Sequence, residues 1–187
     1  MYFELGLQHI LDINGYDHIL FVLALCATYQ VKEWKKIVIL VTAFTIGHSL
    51  TLALAALDVV SFDPMIIEIL IPVTIILTGL VNIFLKPNSA DTNLLRVKYF
   101  ITFIFGLIHG FGFSNYFRAL LSKAAAVVKP LFFFNVGVEV GQLIIVAIAI
   151  LLSYFFINKL KVNAKYWNFG LSGVAILVAL KLLFERI

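Results

Sequence analysis

The chain has 187 residues, of which 63% are hydrophobic and 13% charged, with a mean hydropathy of +1.07. Such a composition excludes an ordinary soluble domain and a disordered tail, because soluble chains carry about 25% charged residues. The net charge of +4 carries no nucleic-acid signal, since the basic residues sit in polar joints between apolar stretches and not in one patch, so no nucleic-acid partner is expected.

A spanning helix needs about 20 mainly apolar residues, and the chain divides into six such stretches, at 11–29, 37–57, 65–85, 99–117, 131–157 and 167–184. The expected fold class is all-α. One polytopic membrane domain covers residues 1–187 as a bundle of six transmembrane helices in a lipid bilayer. Asn14, Gly15 and Asp17 interrupt the first stretch, so residues 1–14 read as a short amphipathic or re-entrant element packed against the bundle.

Lys and Arg are absent before the first span and from residues 58–64. They are present as Lys32, Lys35 and Lys36, as Lys86, Arg96 and Lys98, and as Lys159, Lys161 and Lys165. Basic loops stay on the cytoplasmic side, which predicts a multi-pass protein of the bacterial inner membrane with both termini outside. Arg118, Lys123 and Lys129 dissent, on an Ala- and Leu-rich stretch that reads as an interfacial helix. Cys26 stands alone, which leaves no intrachain disulfide or thiolate cluster. The first residues show neither the basic region nor the small-residue cleavage site of a signal peptide.

The chemistry lies in polar residues inside the apolar stretches, where a charged or strongly polar side chain costs about 2.5–3.5 kcal/mol on insertion scales. His18 falls inside the first span, and His48 and His109 lie half-way along theirs. Three imidazoles at matched depth with carboxylates nearby predict a metal or proton site; a lone histidine would read equally well as an interhelical hydrogen bond. Upstream, His9 and Asp12 share a helical face, and Gly15 lets that turn approach Asp17 and His18. The bland alternative for His9 and Asp12 is an exposed polar turn. Adjacent residues diverge by about 100° on a helix, so one of Asp17 and His18 ligates while the other orients it.

In the second span Thr45, His48 and Ser49 form a stripe with Thr51 beside it. Their hydroxyls would satisfy an imidazole nitrogen or bond back to their own helix. In the fourth, Gly106 and Gly110 bracket His109 as a small-residue face for close helix contact. The fifth carries Asn135, Glu139 and Gln142 on one polar stripe, with Gly137 and Gly141 as another small-residue face. Glu139 is the strongest carboxylate of the second half, as oxygen ligand or proton acceptor. Glu68 and Asn82 in the third span are weaker candidates, and Glu68 also suits a helix N-terminus.

Together these segments resemble the HupE/UreJ family of hydrogenase and urease accessory membrane proteins, in its second, broadly distributed branch. The matching pieces are His9 with Gly15, Asp17, His18 and Phe21; Phe44-Thr45 with His48-Ser49 and Thr51-Leu52; Glu68 with Asn82; Gly106-Leu107 with His109-Gly110-Phe111-Gly112-Phe113; and Phe134-Asn135 with Gly137-Val138-Glu139 and Gly141-Gln142. The resemblance covers five of the six stretches. It implies handling of nickel or a related divalent metal for metalloenzymes, with metalloenzyme-maturation partners and self-association both compatible. The long soluble N-terminal region of many relatives is not matched, so an extracytoplasmic metal-collecting role is not expected.

From the residues themselves, imidazole and carboxylate donors without thiolate suit Ni²⁺, Zn²⁺, Co²⁺ or Fe²⁺ and disfavour Cu(I). The expected function is a divalent-metal permease, nickel foremost. His18, His48 and His109 would form the central site, Asp17 and Glu139 would be carboxylate ligands or supporting bases, and His9 an access ligand. Asp12, Thr45, Ser49, Glu68, Asn135 and Gln142 would orient them. No P-loop is present to couple ATP. The alternative is an intramembrane zinc-type hydrolase of a lipid or amide, in which an open metal position activates water.

Overall fold

The computed structural model describes residues 1–84, 92–121 and 127–187. Expectations resting on Leu85, Lys86 and Lys123, and on most of the Ala-rich stretch, lie outside the described residues. The elements are α1 (Tyr2–Leu11), α2 (Asp17–Cys26), α3 (Trp34–Ala56), α4 (Pro64–Phe84), α5 (Thr92–Leu121), α6 (Val128–Ser153) and α7 (Ala164–Glu185). A 3-10 turn at Val31–Glu33 leads into α3, and a π-helical turn at Tyr154–Lys159 extends α6. Among the described residues five helices are long and apolar enough to cross a membrane, formed by α3, α4, α5, α6 and α7.

The first expected span is not one helix. It is divided between α1 and α2, each of 10 residues and so about 15 Å long, half of the roughly 30 Å hydrocarbon core. The break has a local cause. Asp12 leaves the helix with extended backbone, and its carboxylate accepts the Asn14 N–H at 2.9 Å. Such a turn competes with helix at a position where Asn14 and Gly15 already disfavour it.

Pairs of helices meet at glycines. A Cβ on Gly137 would strike the Phe3 carbonyl and one on Gly6 the Phe134 carbonyl, so the α1 and α6 backbones touch. The same reciprocity joins α3 to α5, through Gly47 against the Phe103 carbonyl and Gly106 against the Phe44 carbonyl. Gly110 continues that seam, with its missing Cβ only 2.7 Å from the His48 carbonyl oxygen. Close approach of this kind compensates for the weak hydrophobic drive between helices in lipid.

Polar clamps close the rest of the bundle. The Asn82 amide donates to the Ala24 carbonyl at 2.7 Å, the Asn168 amide to the Asn82 carbonyl at 2.7 Å, and the Ser172 hydroxyl to Asn168 Oδ1 at 3.0 Å. All three side chains are buried, and the chain of bonds ties the end of α2 to α4 and α7. Within α4, Pro72 has no N–H to offer the carbonyl of Glu68, four residues earlier. Arg186, just past α7, supplies that donor through Nη1 at 3.0 Å.

Gly137→Val is expected to cost about 3 kcal/mol or more, the upper end for overpacking, because its obstacle is backbone that cannot rotate away. Gly170, with nothing within 4 Å of an added Cβ, should accept Ala without loss. Thermal melts of the two variants in detergent check the contrast, and equal melting of Gly137→Val and wild type would refute the close α1–α6 contact.

Candidate metal centre

The break between α1 and α2 turns two histidines toward one point. His9 comes from the last turn of α1 and His18 from the first turn of α2, and their ring centroids lie 4.6 Å apart. His48, midway along α3, brings its ring to 5.7 Å from His9 and 6.0 Å from His18. One ligand nitrogen from each of these three side chains falls within 4.8 Å of the others, close enough for a single metal ion. His109 on α5 stands beside this group, its ring 5.1 Å from that of His18.

The ring nitrogens show what the group can do. Nε2 of His9, Nε2 of His18, both nitrogens of His48 and Nδ1 of His109 are buried without a hydrogen-bond partner. An unsatisfied buried polar group costs about 1–3 kcal/mol. Five gathered at one place fit the donor set of a bound cation.

Two of the rings are held in a ligand-ready tautomer. Asp17 Oδ1 lies 2.8 Å from His18 Nδ1 and also accepts the His18 backbone N–H at 2.8 Å. The carboxylate thus accepts a hydrogen bond from Nδ1–H and leaves the Nε2 lone pair facing the group. The Thr74 hydroxyl donates to the Ile71 carbonyl at 2.7 Å. Its oxygen, 2.9 Å from His109 Nε2, therefore accepts a hydrogen bond from Nε2–H, and Nδ1 of His109 keeps its lone pair. Arg186 Nη2, at 3.4 Å from Asp17 Oδ2, balances the charge of the carboxylate.

Aromatic rings wall the group. Phe113 lies 4.1 Å from His9 between centroids, and Phe21 and Phe44 each lie 5.1 Å from His109. On one side the wall opens into a cavity of about 560 Å³ whose lining includes His9, Gln8, Asp12, Phe113 and Tyr116. Asp12 is exposed there, a carboxylate at the mouth with His9 behind it.

The other candidate residues are distributed differently. Glu139 is held by α3, with the Thr42 hydroxyl at 2.6 Å from Oε1 and the Thr45 hydroxyl at 2.5 Å from Oε2. Gln142 is fully buried and joins that cluster through Thr45 at 2.8 Å. Ser49 donates to the Thr45 carbonyl at 2.6 Å and Asn135 to the Leu131 carbonyl at 2.8 Å, each within its own helix. The α3 hydroxyls therefore leave both His48 nitrogens unpaired. The Glu68 side chain is exposed, and it is the Glu68 backbone carbonyl that enters the structure, through Arg186.

Three contributors carry little signal in the sequence itself. Thr74, two residues beyond an intrahelical proline, carried a weak signal as a mid-span hydroxyl. Thr42 resembled any helix-satisfied threonine, and Arg186 meets Asp17 across 169 residues of chain, so local pattern could not reveal either.

A helical chain with five membrane-length apolar helices and a buried group of three histidines able to hold an ion defines a multi-pass membrane protein with a candidate metal centre. The chain belongs to the HupE / UreJ protein family, which it matches over residues 1–186 and which is linked to nickel and metal accessory function. No curated protein and no solved structure matches it.

Asp17→Asn and Thr74→Val are each expected to weaken Ni²⁺ or Zn²⁺ binding about 10- to 100-fold, the usual loss when the partner orienting an imidazole is removed. His48→Ala should abolish stoichiometric binding. Isothermal titration of the purified protein reads all three, and wild-type affinity in Asp17→Asn would argue against ligation through His18 Nε2.

Proposed function

We infer that this protein is a membrane permease for a divalent transition metal, with nickel the foremost candidate. The observation that carries this reading is the set of buried imidazole nitrogens without partners, reached from one side by an open cavity. His9, His18 and His48 serve as ligands, and His109 offers Nδ1 as a fourth. Asp17 and Thr74 orient His18 and His109. Neutral imidazoles suit borderline ions such as Ni²⁺ or Zn²⁺, and a set drawn from four separate helices can loosen when those helices move, as release of a transported ion requires.

In this reading the α1–α2 pair completes a six-element bundle over residues 1–187 and plays the part that discontinuous helices play in other transporters, placing helix ends at a midplane site. The cavity by Asp12 faces outward and the Lys-bearing loops face the cytoplasm of a bacterial inner membrane. Support for that orientation comes from the Lys-bearing joints at Lys32, Lys35 and Lys36 and at Lys159, Lys161 and Lys165, against residues 58–64, which carry no Lys or Arg. Metalloenzyme-maturation factors would receive the ion inside. A hydrolase is less well supported. Asp17 is engaged by His18 and Arg186, and Glu139 by Thr42 and Thr45, so neither is placed as a free general base for metal-bound water.

Reconstituted vesicles are expected to accumulate Ni²⁺ in a protein-dependent manner, with uptake reduced to background in His18→Ala. The absence of flux for Ni²⁺, Zn²⁺, Co²⁺ and Fe²⁺, together with metal-dependent hydrolysis of a lipid or amide, would overturn the permease reading and reassign the same histidines to a hydrolase.

A further inference from the structure

Glu139 stands midway along the apolar helix α6, half-buried beside α3. The titratable side chains on the elements packed against α6 are Tyr2, Glu4 and His9 on α1, Asp17, His18 and Cys26 on α2, Lys32 and Glu33 in the turn before α3, Lys35, Lys36 and His48 on α3, and Tyr154 and Lys159 in the π-helical turn. None of them forms an ion pair with Glu139, nor does any other Lys, Arg or His among the described residues. Its hydrogen bonds are to hydroxyls instead. Thr42 donates to Oε1 at 2.6 Å, and Thr45 Oγ1 lies 2.5 Å from Oε2. Thr45 Oγ1 also lies 2.8 Å from Gln142 Oε1 and 3.1 Å from the Val41 carbonyl. A hydroxyl carries one proton, so Thr45 cannot donate to Glu139 and Gln142 together. A proton on Oε2 removes the conflict, because Glu139 then donates to Thr45 and Thr45 to Gln142. The bonds run in one direction, from Thr42 through Glu139 and Thr45 to Gln142. An ionised Glu139 closes the same contacts only if the Gln142 amide turns over, and it leaves a full negative charge without a cation midway along an apolar helix. That charge decides in favour of the acid.

We propose that Glu139 holds a proton as a neutral carboxylic acid and releases it when a divalent cation enters the imidazole group. Glu139 makes its hydrogen bonds to the hydroxyls of α3 and not to the histidines, so the link between the two is electrostatic. Thr45 lies one turn before His48 on α3. While the imidazole group is empty, nothing offsets a negative charge at Glu139. A divalent ion held by His48 brings positive charge to the next turn of the same helix and favours the ionised form. The carboxyl O–H bond then breaks, its electron pair stays on Oε2, and the proton ends on water or buffer. The Thr45 hydroxyl turns from Gln142 to the carboxylate. The coupling is reciprocal, so a proton returning to Glu139 weakens the hold on the ion, which serves its release by a permease.

This coupling rests on the histidines being metal ligands, and a count of released protons separates the two. Ni²⁺ is titrated into the protein in detergent at constant pH, in buffers of different ionisation enthalpy, so that the heat reports protons released per ion bound. Wild type is expected to release about one proton more than Glu139→Gln, whose amide fixes the neutral form. Equal release by the two, with Ni²⁺ bound by both, would overturn the proton at Glu139 and leave the metal centre standing. Absence of Ni²⁺ binding to wild type would overturn the metal centre and the coupled release with it. Infrared spectra of the wild type give a second reading that does not depend on the folding or metal binding of Glu139→Gln. The carbonyl stretch of a protonated carboxyl is expected in the metal-free protein, shifted in Thr45→Val and lost from wild type on addition of Ni²⁺. Its absence from the metal-free wild type would overturn the neutral acid, and its persistence unchanged with Ni²⁺ bound would overturn the release.

Discussion

In the apolar interior of a bilayer no bulk water reaches a polar atom, so each must find its partner within the chain or in a ligand. That constraint accounts for most long-range hydrogen bonds in this protein. Asn82 and Asn168 satisfy carbonyls on neighbouring elements. Arg186 answers the Glu68 carbonyl that Pro72 leaves without its helical donor, and its second nitrogen lies beside Asp17. Where the accounting fails to close, at the imidazole nitrogens, the bundle holds its candidate metal centre.

The broken first element couples this accounting to function. A continuous helix over residues 2–26 would point His9 and His18 in directions set by its 3.6-residue period, nine residues apart and on opposite faces. The Asp12–Asn14 turn releases that restraint and lets the two rings meet. The fold then has to anchor two short helices that cannot span alone. It does so with the touching glycine faces of α1 and α6 and with the packing of α2 among α4, α6 and α7. Site geometry and bundle stability therefore share residues, since Gly6, Gly137 and Gly141 place the turn that carries His9.

The two polar centres are chemically complementary and joined by one helix. α3 gives His48 to the nitrogen-rich group and Thr42 and Thr45 to the oxygen-rich one. Its backbone is pressed against α5 at Gly47, Gly106 and Gly110, which also brings the turn of His109 alongside His48. A small shift of α3 along that glycine seam would change both polar centres together.

The order of residues alone establishes the class: an apolar helical membrane chain, with spans readable from hydropathy because a bilayer demands runs of about 20 apolar residues. It also marked His9, His18, His48 and His109, since polar residues stand out against such a background, and the small-residue faces at Gly106, Gly110, Gly137 and Gly141. Asn14 and Gly15 signalled the interruption near residue 14. The partners follow from how the helices pack. Glu139 and the histidines are equally conspicuous in the chain, yet Glu139 lies among the hydroxyls of α3 while His18 takes Asp17, and Arg186 reaches Asp17 from the far end of the sequence. Hydropathy and helical period report which face of a helix is polar. Which other face it meets depends on helix crossings set by glycine contacts between distant segments, such as Gly47 with Phe103 and Gly137 with Phe3, and no local pattern encodes that pairing.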